Sequence, residues 1–299
     1  MTNDRVCILG GTGFVGRHLA TGLGAAGYRC RILARRLERH RELSLIPSSE
    51  LRRSDLSETD ALSEHLKGCA AVINLTGILN EGGGRTFRQT HVELVERILD
   101  AAQAAAVPRY LHMSALHAQA EQGTSRYLRT KGLGEDLAHA RTGIQVTSFR
   151  PSVIFGPGDG FFNRFATLLK LMPGVFPLAC PEARFAPIYV GDLVSAMTKA
   201  LADPGCVRKR YDLCGPRVYS LRALVEYTAE LLGRKILVIG IPDAAARLQA
   251  RVLQRLPGKP FTMDNYLSLQ TDSICEHNAL VELGIEPRSV EALVPGYLH

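Results

Sequence analysis

Short apolar runs at 5–9, 29–33, 70–75, 109–113 and 144–149 alternate with amphipathic stretches at 14–26, 57–67, 86–106 and 124–141. The runs are strand length and the stretches helix length, so the pattern predicts parallel strands joined by crossover helices. Right-handed crossovers make this an α/β chain with a Rossmann-type doubly wound parallel sheet, whose ligand crevice lies beyond the carboxyl ends of the strands. A further run at 209–214 is expected to return to that sheet. After Pro151 the rhythm breaks, and Gly and Pro crowd residues 151–187. Residues 1–150 are therefore expected to form a dinucleotide-binding domain, and 151–299 mainly a small mixed lobe facing substrate or partner. Within that lobe Ser220 precedes Leu221, Leu224, Val225, Leu231 and Leu232, the pattern of an N-capped amphipathic helix. Residues 243–256 predict another helix, on which Arg247, Arg251 and Arg255 recur every four residues beside Leu248, Val252 and Leu256. That stripe reads in two ways: an apolar face packed on the core with its arginines in water, or a surface for an anionic membrane or partner.

With 299 residues, 46% of them hydrophobic, the chain can bury a large core. No apolar run approaches the roughly 20 residues of a membrane span, and the first strand follows closely on Met1, so a cytoplasmic protein is expected. The seven cysteines are scattered and fall mostly in apolar runs, which predicts reduced, structural thiols. No C-x-x-C pair or cluster at ligand spacing is present, so no metal site is expected. The net charge of +7 is spread along the chain. It is compatible with an anionic partner without demanding one, and no aromatic platform or nucleic-acid motif accompanies the arginines, so no nucleic-acid partner is expected.

The most specific chemistry lies where the first apolar run meets the first helix, at Gly10-Gly11-Thr12-Gly13-Phe14-Val15-Gly16. Gly10 permits a tight turn out of the strand, Gly13 lets backbone approach a phosphate, and Gly16 lets the helix pack closely on the sheet. The helix N-terminus adds free N–H groups and a partial positive charge. The second strand ends at Leu33-Ala34-Arg35-Arg36, with two guanidinium groups where NAD-binding chains of this type carry a carboxylate for the ribose hydroxyls. That favours NADP(H), whose 2′-phosphate arginine can grip. The alternative is that Arg35 and Arg36 open a charged, exposed helix that continues through Arg39 and Arg41. Asp55-Leu56 and Leu75-Thr76-Gly77 fall on loops expected to border adenine and pyrophosphate.

The glycine turn, Tyr127-x-x-x-Lys131, the run Arg150-Pro151-Ser152-Val153 through Asp159, and Ile188-Tyr189-Val190-Gly191-Asp192 together resemble the extended short-chain dehydrogenase/reductase superfamily across nearly the whole chain. Asn74 to Leu79, Ser114-Ala115-Leu116, Phe161 to Phe165 and Arg184 to Pro187 look most like its atypical branch, which contains the NADPH-binding accessory subunit of respiratory complex I and its bacterial relatives. The resemblance implies a bound nicotinamide nucleotide, held in part by Pro151 and Val153, and often structural in that branch. It also implies that Lys131 holds the nicotinamide ribose and lowers the Tyr127 pKa, so that Tyr127 exchanges a proton with a carbonyl or alcohol. A surface Tyr and Lys on one helical face is the plainer alternative. Ala115 occupies the position where the superfamily carries a catalytic hydroxyl, and Ser114 could replace it only by a one-residue shift that turns its side chain to the other face. Phe161, Arg164, Arg184 and Tyr189 are expected to border the substrate cleft or to pack the lobe interface.

Three functions follow as expectations. The first is an NADP(H)-binding protein whose nucleotide is structural or regulatory, working with a respiratory or quinone-related assembly and touching the inner face of the membrane peripherally. The second is an active NADP-dependent reductase, epimerase or dehydratase that uses Tyr127, Lys131 and Ser114 on a small carbonyl or sugar nucleotide. The third is a redox sensor whose partner binding depends on NADPH against NADP⁺.

Overall fold

The computed structural model describes residues 4–56, 58–172 and 174–298. Its centre is a seven-stranded parallel sheet containing β1 (Arg5–Leu9), β2 (Arg29–Ala34), β3 (Ser49–Arg53), β4 (Ala71–Asn74), β5 (Arg109–Met113), β6 (Gln145–Pro151) and the strand Arg210–Leu213. The spatial order is β3, β2, β1, β4, β5, β6 and then Arg210–Leu213, so the winding direction reverses between β1 and β4. A crevice opens at such a reversal.

Side chains alternate across each strand, and this divides the core in two. Val6, Ile8, Ile32, Ile73 and Leu111 face α1 (Phe14–Ala25) and a helix of the second half, Val190–Ala202. Cys7, Leu9, Leu33, Val72 and Tyr110 face α2 (Thr59–Leu66), α3 (Leu94–Ala104) and α4 (Arg126–Ala140). In register Ile8 stands between Ile32 and Ile73. Both faces are covered, which is why these strands read as continuous apolar runs.

The expected strand at 209–214 pairs in parallel with β6, Arg210 against Ser148 and Leu213 against Pro151. The remaining chain builds α5 (Phe162–Leu171), α6 (Val190–Ala202), α7 (Leu221–Leu231), α8 (Asp243–Leu253) and α9 (Met263–Ser268) around three two-stranded ladders. Phe155, Phe162, Phe176, Phe185, Leu224 and Val225 form a separate core there. The Ser220 hydroxyl accepts from the Ala223 N–H and caps α7 as its sequence implies.

Several features differ from expectation. Strand β3 has no apolar run to announce it: Ser-Glu-Leu-Arg-Arg is an edge strand covered on one side only. The stretch 86–106 is a π-helical turn, Gln89–Glu93, followed by α3. Residue 57, where the second helix was expected to start, lies outside the described residues, as do 1–3. The expectation of seven reduced cysteines is corrected: Cys214 and Cys275 form a disulfide, while Cys7, Cys30, Cys69, Cys180 and Cys206 are free. The pair is 61 residues apart in sequence, and only the path of the C-terminal segment brings Cys275 to the end of the strand Arg210–Leu213. Among the described residues no helix is long and apolar enough to cross a membrane, and no group of His, Cys, Asp and Glu could hold a metal ion.

Candidate nucleotide site

Backbone geometry explains the glycine turn. Gly10 has φ +79°, and a Cβ there would lie 2.9 Å from the Leu75 carbonyl carbon, so β1 and the loop after β4 meet at a contact only glycine permits. At Gly16 a Cβ would come within 2.4 Å of the Gly11 backbone, which fixes how deeply α1 seats against the turn. At Gly13, the N-cap, an added Cβ would meet only the Gly10 oxygen, at 3.3 Å, so this side of the turn is open. The first turn of α1 has no side-chain cap and no acidic residue. Unshared N–H groups beside an open glycine surface suit a pyrophosphate.

The other expected contacts reach the same edge of the sheet. Thr12, Phe14 and Val15 follow the turn, with the Thr12 carbonyl accepting from Arg17 at 3.1 Å and Val15 packing on the core. Arg35 and Arg36 are exposed directly after β2, and neither forms an ion pair among the described residues. Asp55 and Leu56 follow β3, and the Leu56 carbonyl accepts from Arg97. After β4, Asn74 turns its side-chain oxygen onto the N–H and hydroxyl of Thr76 and donates to the Tyr110 hydroxyl, which fixes the loop through Leu75 and Gly77. Pro151 ends β6 and Val153 follows it, their carbonyls accepting from the N–H groups of Leu116 and Ile188.

The Tyr-Lys pair lies on α4, whose N-cap Ser125 accepts from Leu128. Lys131 is buried, and its ammonium donates to the Met113 carbonyl at 2.5 Å. A Cβ added to Gly77 would lie 3.6 Å from that ammonium, so the loop after β4 closes over it. Burial brings Lys131 down to about 8, against the pull of Glu135. Tyr127 makes edge contacts with Phe87 and His91 and packs beside Ala115, Ala118 and Leu128. Its phenol moves opposite to expectation: burial, reinforced by the Asp264 carboxylate, pushes it up to about 12. Lost hydration and a negative neighbour set it, and the lysine charge expected to lower it is not among its influences. Ser114 is buried, its hydroxyl without a hydrogen-bond partner among the described residues and its N–H bonded to the Phe149 carbonyl.

Two residues near this pair had no signal assigned to them in the sequence. His91, on the π-helical turn, accepts from the Ile78 N–H and meets the Thr130 hydroxyl. Burial, then Lys131, holds it down to about 3, so it is neutral. Its spacing of four from Phe87 was the available hint. Asp264, on α9, accepts from the N–H groups of Arg126 and Tyr127 and caps α4 from 137 residues away, which nothing local could announce.

The four expected cleft residues scatter. Phe161 is edge-on to Phe162 and Phe165 in the lobe core, and Arg164 donates to the carbonyls of Lys259 and Pro260. Arg184 is paired with Asp272, and Tyr189 lies under the Arg288 guanidinium. Their visible partners hold the lobe and the C-terminal segment together.

The reversed sheet, the open glycine turn and the buried hydroxyl of Ser114 fit a nicotinamide dinucleotide laid across the strand ends. The class so defined is a dinucleotide-binding protein of the short-chain dehydrogenase/reductase type. Residues 6–214 match the NAD dependent epimerase/dehydratase family, and the chain belongs to it. It is 27% identical over 296 residues to the mouse mitochondrial NADH dehydrogenase [ubiquinone] 1 alpha subcomplex subunit 9, covering 95% of this chain and 77% of that one. It is 30% identical over 243 residues to the ceramide reductase of Caulobacter vibrioides, covering 80% and 74%. In fold it resembles an NADPH-dependent quinone oxidoreductase of Escherichia coli solved with NADPH, with TM-score 0.78 and 18% identity over 98% of this chain and 99% of that one.

Proposed function

We propose that this protein binds NADP(H) and keeps it as a structural or regulatory group while working beside a respiratory or quinone-handling assembly. The observation that carries this is the apolar packing of Ala115 against Tyr127, where the superfamily's chemistry calls for a polarising hydroxyl. Without that donor, and with a phenol whose raised pKa makes it a weaker acid, the side chains poorly support charge on a carbonyl oxygen. Bound nicotinamide supplies a hydride donor or acceptor. In this reading Gly10, Gly13 and Gly16 admit the pyrophosphate, Arg35 and Arg36 hold the 2′-phosphate, Lys131 takes the nicotinamide ribose, and residues 151–299 present the partner surface. The mouse relative is named as a subunit of a mitochondrial NADH dehydrogenase, which supports a partner of that kind. The cytoplasmic location is kept from the sequence alone.

One observation favours the second reading, an active NADP-dependent reductase: the buried Ser114 hydroxyl has no partner among the described residues and neighbours the carbonyl that holds Lys131. The Caulobacter relative is named as a reductase. One experiment separates the two. Freshly purified protein is denatured and its released nucleotide identified, and the native holoprotein is then mixed with quinones and carbonyl compounds while nicotinamide absorbance is followed. Co-purified NADP(H) that raises Tm and shows no absorbance change in a single turnover is expected. Oxidation of NADPH that Tyr127→Phe abolishes would overturn the structural reading in favour of the enzyme.

A further inference from the structure

Helix α8 turns its large residues the wrong way for a core helix. Ala246 and Ala250 are its buried residues and pack with Ala179 and Tyr266, while Leu248 and Val252 are 61% and 50% exposed. At 100° per residue Leu248 and Val252 form a stripe on the side of α8 away from the alanines, and Leu256, in the turn that follows, is 47% exposed. The stripe does not end at the helix. Gln249, on its border, donates to the Pro177 carbonyl, and Pro177 pairs with Ile239 in the ladder below. There Ile239, Leu237 and the facing Val175 are also exposed. Along the other border Arg251 and Arg255 are exposed, and neither is in an ion pair with a carboxylate among the described residues. Arg247 differs, being paired with Asp243 and stacked on Tyr266.

We propose that this face docks the protein on an anionic lipid bilayer, with Leu248, Val252 and Leu256 entering the headgroup region and Arg251 and Arg255 meeting acidic headgroups. The proposal is independent of what happens at the nucleotide. Protein partners are usually gripped by aromatic anchors in shaped pockets. Here the exposed residues are aliphatic and stand on the convex surface of one helix, which a fluid bilayer accommodates without a complementary cavity. The flanking arginines give the charge complementarity that interfacial helices use, and the whole chain carries +7.

The test is co-sedimentation of the full-length holoprotein with vesicles of phosphatidylcholine alone, or with about one third phosphatidylglycerol, at low and high salt. Binding is expected on the anionic vesicles, much less on the neutral ones, and falling as salt rises. Arg251→Glu with Arg255→Glu should weaken it about 30-fold or more. Leu248→Ser, Val252→Ser and Leu256→Ser together should weaken it about 100-fold. Lys67→Glu, at the end of α2 and outside this face, should leave it unchanged. Cooperative thermal melting shows that each variant is folded. Absence of vesicle binding, or binding that both variants retain, overturns the proposal. A wild-type dimer that the serine variant splits, with no vesicle binding, would assign the face to a second copy of the chain and overturn it equally.

Discussion

Arg35 and Arg36 show how far single residues can be read from sequence. Their meaning depends on one local fact, the end of β2, and the structure leaves both guanidinium groups exposed and, among the described residues, without carboxylate partners. Charge-assisted hydrogen bonds to a phosphate are worth about 1.5–3 kcal/mol. Replacing both by alanine is expected to raise the NADPH dissociation constant at least about tenfold while leaving NADH nearly unchanged. Calorimetric titration with each cofactor checks this, and an equal loss for both would mean that the arginines do not read the 2′-phosphate. Tyr127 is the opposite case. Its neighbour four residues on suggested a lowered pKa, yet burial and a carboxylate from another part of the chain move it upward.

Helix α4 carries the Tyr-Lys pair, and its start is held twice. Ser125 caps it from within, and Asp264 caps it from α9 by accepting from Arg126 and Tyr127. Ser268 also donates to Ser125, and Thr124 meets Thr271, so the segment around α9 is clasped onto the end of the helix that presents Tyr127. Asp264→Ala should cost about 1–2 kcal/mol in urea unfolding, the range for a lost cap that leaves donors unpaired. It should also let the Tyr127 phenol fall from its raised value, because a negative neighbour is removed. Ultraviolet titration, with Tyr127→Phe identifying the signal, reads that shift, and an unchanged phenol would mean burial alone sets it. The Ser125 cap was accessible to sequence reasoning, since it lies in the helix it serves; the Asp264 cap was not.

Across the whole molecule, three histidines on different elements are kept neutral. Burial lowers His91 to about 3 and His139 to about 4, and holds the fully enclosed His112 well below its ordinary value. The unfolded chain protonates these groups near pH 6.5 and the folded chain does not, so stability is complete above that pH and falls as pH drops toward 4. Each proton taken up on unfolding contributes up to about 1.4 kcal/mol per pH unit. Burial raises the carboxyls of Asp192, Asp212 and Asp264, which favours protonation in the folded state and offsets part of the loss. Chemical denaturation from pH 7 to pH 4.5 should show the decline, and His91→Asn should flatten it. A slope that the variant leaves unchanged would remove His91 as a contributor.

By itself the sequence determined the doubly wound sheet and its glycine turn, because strand periodicity and the steric demands of a βα turn are local. The same locality made the Ser220 cap and the strand at 209–214 readable. Tertiary structure alone decided the β3 edge strand, the Cys214–Cys275 bond, the Asp264 cap and the raised Tyr127 phenol, since each depends on groups far apart in the chain. It also decided which way the apolar stripe of α8 faces. Helical spacing put Leu248, Val252 and Leu256 on one stripe, but only the packing of Ala246 and Ala250 beneath showed that the stripe faces outward.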